Sequence, residues 1–122
     1  REGRMSPYTL LISLSLVAVA APALAADGAK LFQSQCAMCH KPAGSTPLAP
    51  ALKDVVGRKI ASRPDFTYSS ALKAKQGDKW TEQNLDAFIA APVKFAPGTR
   101  MPMNVANAAN RAALIAYLKT IK

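Results

Sequence analysis

Cys36 and Cys39 stand three positions apart with His40 directly after them, and no other feature restricts this chain as much. The order C-x-x-C-H is the attachment sequence of a c-type haem. Each position has a chemical task. The two thiols add across the two vinyl groups of one porphyrin, so the group is held by bonds that do not dissociate. The adjacent His40 then lies under the iron as its ligand. Two other readings of the pair are weaker. A thioredoxin-like dithiol expects a βαβ pattern around it, and none is visible. A zinc site wants four ligands, whereas the chain has two Cys and one His in all.

The 122 residues fit one domain. Tyr8 to Ala21 is largely apolar and is followed by Pro22-Ala23-Leu24-Ala25, an A-x-A cleavage signature. The run is short for a membrane span, which needs about 20 residues. Residues 1–25 are therefore expected to be a secretory signal cut before Ala26, with an uncleaved anchor as the alternative. The chain opens on Arg1, so translation starts at Met5 or further upstream. A domain of residues 26–122 is small, and small cores often need a staple. Here the staple is the haem, a large apolar plate that adds to the core and uses both cysteines.

The net charge is +9, and Arg1, Glu2 and Arg4 contribute only one unit of it. A basic surface attracts nucleic acid, membranes or acidic proteins. Dense Lys/Arg tracts of the nucleic-acid kind are absent, so acidic docking faces on redox partners are the better match.

The coarse elements are helical. Asp27 to Cys36 reads as a short helix capped by Asp27. Lys41 to Pro50 is loop by its Pro and Gly content. Ala51 to Val56 is expected to make one helical turn stopped by Gly57, and Ser69 to Lys75 a second short helix. Thr81 caps a firmer helix to Ala91, with Trp80 placed to staple onto Leu85 and Pro92 ending it. Pro97-Gly98 marks a turn. A last helix starts at an Asn107 cap, with Leu114, Tyr117, Leu118 and Ile121 as its apolar stripe.

His40 serves one side of the iron, and no second histidine exists. A thioether is the natural sixth ligand. Met38 sits inside the attachment loop and cannot reach around the ring. Met101 and Met103, in the Pro-rich stretch Pro97-Gly98-Thr99-Arg100-Met101-Pro102-Met103, both remain candidates on chemistry alone.

These motifs together resemble the class I c-type cytochromes, in particular cytochrome c2 and mitochondrial cytochrome c. The resemblance covers Asp27 to Lys122. It rests on Gly28 and Phe32 before the haem motif, then Pro50 and Gly57-Arg58-Lys59. Phe66-Thr67-Tyr68, Trp80, Pro97 to Met101 and Leu114-Ile115-Ala116-Tyr117-Leu118-Lys119 follow in the family order. It implies an all-α fold, the small cytochrome c fold, with short helices wrapped around one covalently bound haem c. By the same match Met101 is the axial methionine, and the Pro50 carbonyl accepts the His40 ring N–H. Arg58, Tyr68, Trp80 and Thr99 would meet the haem propionates, while Leu52, Phe88 and Phe95 wall the pocket. Gly28 lets the first and last helices approach, with Phe32 and Tyr117 at that contact. The chain departs from mitochondrial members at Phe88, where a tyrosine usually bonds the methionine sulfur. The loop from His40 to Pro50 is also short.

The implied function is outer-sphere electron transfer, without catalysis, by a monomeric carrier in the periplasm. Lys30, Lys41, Lys53, Lys94 and Arg100 would form the docking rim. Partners would be acidic faces of membrane complexes: a bc1-type reductase, a terminal oxidase of a respiratory chain or a photosynthetic reaction centre. The alternatives are a cytochrome subunit fixed to a periplasmic dehydrogenase, and a haem sensor or peroxidase with an open sixth site.

Overall fold

The computed structural model describes residue 3, residues 15–18 and residues 26–122. The expected leader, residues 1–25, therefore lies almost wholly outside the described residues. Among the described residues five helices follow in order: α1 Gly28–Gln35, α2 Ser70–Lys73, α3 Glu82–Ala90, α4 Pro92–Phe95 and α5 Ala108–Leu118. Among the described residues there is no strand, only an isolated antiparallel bridge between Lys59 and Lys79. No helix among them is long and apolar enough to cross a membrane.

Side-chain caps start four of the helices. Asp27 accepts from the Lys30 N–H at 3.1 Å, Ser69 from Leu72, Thr81 from Asn84 at 3.0 Å and Asn107 from Asn110 at 3.0 Å. Each bond satisfies one of the four N–H groups that a helix start leaves unpaired, a contribution of about 1 kcal/mol. Helices this short do not persist alone in water. Burial of apolar faces holds α1 on α5 and α3 on both α4 and α5.

The central contact is α1 against α5, where Phe32 meets the Tyr117 ring with centroids 5.2 Å apart. Gly28 makes that approach feasible. A Cβ there would collide with the Ala113 carbonyl oxygen and stand 3.0 Å from Tyr117 Cβ. Phe32, Ile60 and Leu114 are the largest fully buried side chains. Cutting Phe32 to Ala would cost about 3–5 kcal/mol by the usual yield of such truncations. Helix α5 also packs on α3, and α3 on α4. Two ion pairs tie α3 to α5: Arg111 to Asp86 at 2.7 Å and Lys119 to Glu82 at 3.0 Å.

The expected helical turn over Ala51 to Val56 does not form. Asp54 takes a left-handed φ of 54° and its N–H bonds to the Ile121 carbonyl at 2.9 Å. Tertiary bonding to the chain end thus replaces the local helix. The second expected helix is shorter than Ser69 to Lys75, with Ser69 as its cap. Pro92 does close α3, yet it also opens α4 from that helix's first turn, where its missing N–H costs nothing. Trp80 is buried in the same cluster as Leu85, and it packs tilted against Phe88 and stacked on Phe95, with ring centroids 5.1 and 5.8 Å apart.

Candidate functional site

One cavity of about 360 Å³ opens between these elements, within the roughly 300–1,000 Å³ usual for small-molecule sites. Cys36, Cys39 and His40 enter it from the end of α1, and Met101 enters from the loop between α4 and α5. The α1 terminus builds the attachment segment. The Cys36 and Ala37 N–H groups both bond to the Phe32 carbonyl at 2.9 Å, and the His40 N–H bonds to the Cys36 carbonyl at 2.9 Å. The segment is thus a continuation of the helix end that turns both thiols and the imidazole inward. Both cysteines are free and half-buried.

His40 Nδ1 lies 2.9 Å from the Pro50 carbonyl oxygen. A carbonyl can only accept, so Nδ1 carries the proton and Nε2 keeps its lone pair for a metal. Burial pushes the His40 pKa down, against the Pro50 bond that raises it, and the Arg58 charge lowers it further. Burial and the Arg58 charge outweigh the Pro50 bond and favour a neutral ring, and that bond leaves Nε2 as the free nitrogen. Burial also raises the Cys36 thiol pKa.

Arg58 gives the cavity its sharpest requirement. Its Nη1 donates to the Ala51 and Lys53 carbonyls at 3.0 and 2.9 Å, and burial lowers its pKa. Its Nε is buried with no hydrogen-bond partner, although the side chain lines the cavity. A buried N–H left without a partner on a half-buried cation is costly. It calls for an occupant that brings an acceptor, best an anionic one. A haem fits on each count: it is a largely apolar plate with vinyl groups for Cys36 and Cys39, an iron for His40 and Met101, and propionate carboxylates for Arg58.

Of the residues singled out in the sequence, Pro50, Leu52, Tyr68, Trp80, Phe88 and Thr99 also line the cavity. The Tyr68 hydroxyl accepts from the Arg63 N–H at 3.3 Å. Phe95 does not line it, contrary to expectation. Its ring lies behind Trp80 and Phe88, under the Lys75 ammonium at 4.6 Å. Of the expected docking rim, Arg100 reaches the cavity edge and donates to the Thr67 carbonyl. Lys30, Lys41, Lys53 and Lys94 are exposed and do not line the cavity. Met103, the other candidate ligand, reaches the same cavity but is 45% exposed, while Met101 is half-buried.

Sequence reading missed several walls. Leu72, Ile89 and Val105 line the cavity, as do Leu114 and Leu118 of α5. The last two were visible as an apolar i, i+4 pair, and nothing in that spacing separates a cofactor wall from ordinary core.

The cavity, its paired thiols, its neutral histidine and its orphaned arginine define a covalent haem-binding protein. The cytochrome c family model matches residues 25–122. Cytochrome c of Tetrahymena pyriformis is 42% identical over 98 residues, covering 80% of this chain and 88% of that one. The c-type cytochrome cyt cy of Rhodobacter capsulatus is 39% identical over 95 residues, or 77% of this chain. The match spans 47% of that longer relative. Among solved structures, cytochrome cH from Methylobacterium extorquens superposes with a TM-score of 0.71 at 37% identity, covering 79% of this chain and 97% of its own. The chain belongs to the cytochrome c family, whose members carry a covalently attached haem c and pass electrons rather than catalyse a reaction.

Proposed function

We propose that the chain is an exported, monomeric one-electron carrier that shuttles between membrane redox complexes. The observation that carries the reading is the His40–Pro50 bond at the wall of a cavity shared with Cys36, Cys39 and Met101. When bound, haem supplies the exchange of one electron at its iron between the ferric and ferrous states.

The residues do the rest. Cys36 and Cys39 would fix the group covalently. Pro50 holds the His40 ring in one tautomer and orientation, which supports Nε2 as a ligand. Met101 would supply the second protein ligand, which would leave no position open to small molecules. A thioether paired with an imidazole would favour the reduced state more than two imidazoles would. Arg58, Tyr68, Trp80 and Thr99 would receive the carboxylates and bury their charge. Leu52 and Phe88 keep water out, which lowers the reorganisation that accompanies each electron.

Lys30, Lys41, Lys53, Lys94 and Arg100 would steer encounters with the acidic faces of a bc1-type reductase and of a terminal oxidase or photosynthetic reaction centre. The A-x-A sequence at Ala23 and Ala25 supports export to the periplasm with cleavage before Ala26. Expression with a haem-attachment system gives the test. The mass of the secreted protein should equal residues 26–122 plus one haem, and reductive titration should follow a single one-electron step. A second, non-redox-active state or a retained leader would overturn the respective half of the reading. The encounter rate with an acidic partner should also fall steeply with salt.

One observation favours a second reading, a cytochrome subunit attached to a periplasmic dehydrogenase. Leu48 and Met103, both at the cavity rim, are 73% and 45% exposed, and such apolar surface suits a lasting contact. Gel filtration of a native extract separates the two: the carrier elutes alone.

A further inference from the structure

The short loop from His40 to Pro50 carries a hydrogen-bond series that none of the roles above uses. Ser45 Oγ donates to Asp65 Oδ1 at 2.8 Å and accepts from the Ala51 N–H at 2.9 Å. That N–H belongs to the peptide group whose carbonyl is Pro50 O. Pro50 O in turn receives the His40 Nδ1 proton at 2.9 Å. Beyond Asp65, Arg63 grips both carboxylate oxygens at 2.8 and 3.0 Å, and the Ser45 N–H adds a third donor at 3.2 Å.

The direction of the series is fixed. The Arg63 and Ser45 bonds hold the Asp65 carboxyl far below the ordinary carboxylate range, so it is an anion at working pH. A carboxylate only accepts. The Ser45 hydroxyl proton therefore points at Asp65, which leaves its lone pairs for the Ala51 N–H. Every donor in the run from His40 to Asp65 points the same way.

We propose that Ser45 and Asp65 are positioning residues for His40, acting through the Pro50–Ala51 peptide to set how strongly the ring donates electrons to the haem iron. The proposal rests on the haem reading above. Its physics has four steps. Donation from a peptide N–H favours the resonance form with more negative charge on the carbonyl oxygen. Hydrogen bonds aligned in a chain strengthen one another by about 10–30% each. A stronger acceptor on Nδ1–H makes Nε2 more basic. A more basic axial ligand favours the ferric state and lowers the reduction potential.

Two plainer effects must be told apart from this one. Asp65 could act across space simply as a negative charge, which also favours the ferric state. Ser45 could merely hold the loop closed. The haem-loaded variants Ser45→Ala, Ser45→Thr, Asp65→Asn and the Ser45→Ala/Asp65→Asn pair separate them, with two readouts. One is the reduction potential. The other is the proton resonance of His40 Nδ1–H in the ferrous protein, which reports the Pro50 bond directly.

Ser45→Ala keeps the Asp65 charge and removes the relay. It should shift the ferrous-to-ferric ratio about threefold toward ferrous at fixed ambient potential, which is about 28 mV at 59 mV per decade. The Nδ1–H resonance should move upfield. Ser45→Thr should restore both values. Asp65→Asn should match Ser45→Ala, and the pair should add nothing further. A shifted Asp65→Asn beside an unchanged Ser45→Ala would show a through-space charge and end the proposal. A changed potential with an unmoved Nδ1–H resonance would show a loop effect and end it too. Should Ser45→Ala fail to fold, Asp65→Asn alone decides, because an unmoved resonance there overturns the relay. A wild-type chain that takes up no haem fails the underlying reading instead, and that result is visible before any variant is made.

Discussion

The histidine side and the methionine side of the cavity are built by different means. On the histidine side the chain is cross-tied. Thr46 Oγ1 donates to the Cys39 carbonyl at 3.0 Å and accepts from the Leu48 and Ala49 N–H groups. The Leu52 and Lys53 N–H groups bond back to Lys41 and Pro42 at 3.1 and 2.8 Å. The methionine loop is held mainly at its ends. The Thr99 N–H bonds to Ala96, and the Val105 N–H to Ile89, each at 2.9 Å. Between these anchors, the backbone of residues 101–104 makes no hydrogen bond among the described residues. Pro97 and Pro102 stiffen the loop covalently instead, by narrowing what the unfolded loop can sample. If His40 and Met101 hold the haem iron as proposed, the Met101 sulfur should yield before the His40 ring. The ring is fixed by a network, whereas the sulfur is fixed by a strap with two buckles.

Removing the sulfur is the largest test of this contrast. In haem-loaded Met101→Ala the sulfur-to-iron charge-transfer band should vanish, the potential should drop, and the reduced protein should bind carbon monoxide. Met103→Ala should keep the band. Loss of the band in Met103→Ala would move the ligand by two residues and break the picture of the strap.

Opening one buckle should do less. Arg111, with a side chain only 13% exposed, joins Asp86 at 2.7 Å to the Val105 and Ala106 carbonyls at 3.0 and 2.8 Å. One guanidinium thus ties α3 and α5 to the far end of the methionine loop. Arg111→Met should lower the unfolding free energy in urea by about 2 kcal/mol, the usual cost of stranding such acceptors. Ferric Arg111→Met should also bind imidazole several-fold more tightly, because the loop that must give way has lost an anchor. The His40 Nδ1–H resonance should stay where it is. Unchanged imidazole affinity would mean that this end of the strap does not restrain the sulfur.

Much of this was legible in the chain because it was local. Asp27, Thr81 and Asn107 announced helix starts, since a cap bonds within three residues of itself. Gly28 was legible through the resemblance, and its reason is the α5 backbone against it. What stayed hidden was non-local or two-valued. Pro92 carries two rules, one that ends a helix and one that begins it, and both act here. Phe95 has the composition of a pocket wall, but its place behind Trp80 depends on how α4 turns after Ala91. Arg111 reads as one more charge on a solvated helix face until Asp86 and the loop carbonyls come under it. Ser45 and Asp65 lie 20 residues apart in two irregular loops, where no periodicity exists to pair them.

The smallest expected effect lies on the histidine side and emerges only in acid. The folded-state pKa of Asp65 is depressed from an ordinary value of 3.8 by the Arg63 and Ser45 bonds. Between that value and the lower folded one, the unfolded chain binds more protons than the folded chain. The stabilisation from Asp65 is therefore complete above pH 3.8 and drains away as pH falls below it. At neutral pH the pair is exposed, and such pairs contribute little. Wild type and Asp65→Asn should then differ slightly in urea midpoint near pH 6 and begin to converge only below pH 3.8, with the variant showing the flatter acid limb. Amide exchange localises the effect. The Ala51 N–H bonds to Ser45 and should lose protection in acid in the wild type, and at every pH in Asp65→Asn. The Val105 N–H, bonded to Ile89 in the other loop, should be indifferent to Asp65. Equal loss at both amides would mean that acid opens the whole cavity at once, and that the two sides are one cooperative unit rather than a network and a strap.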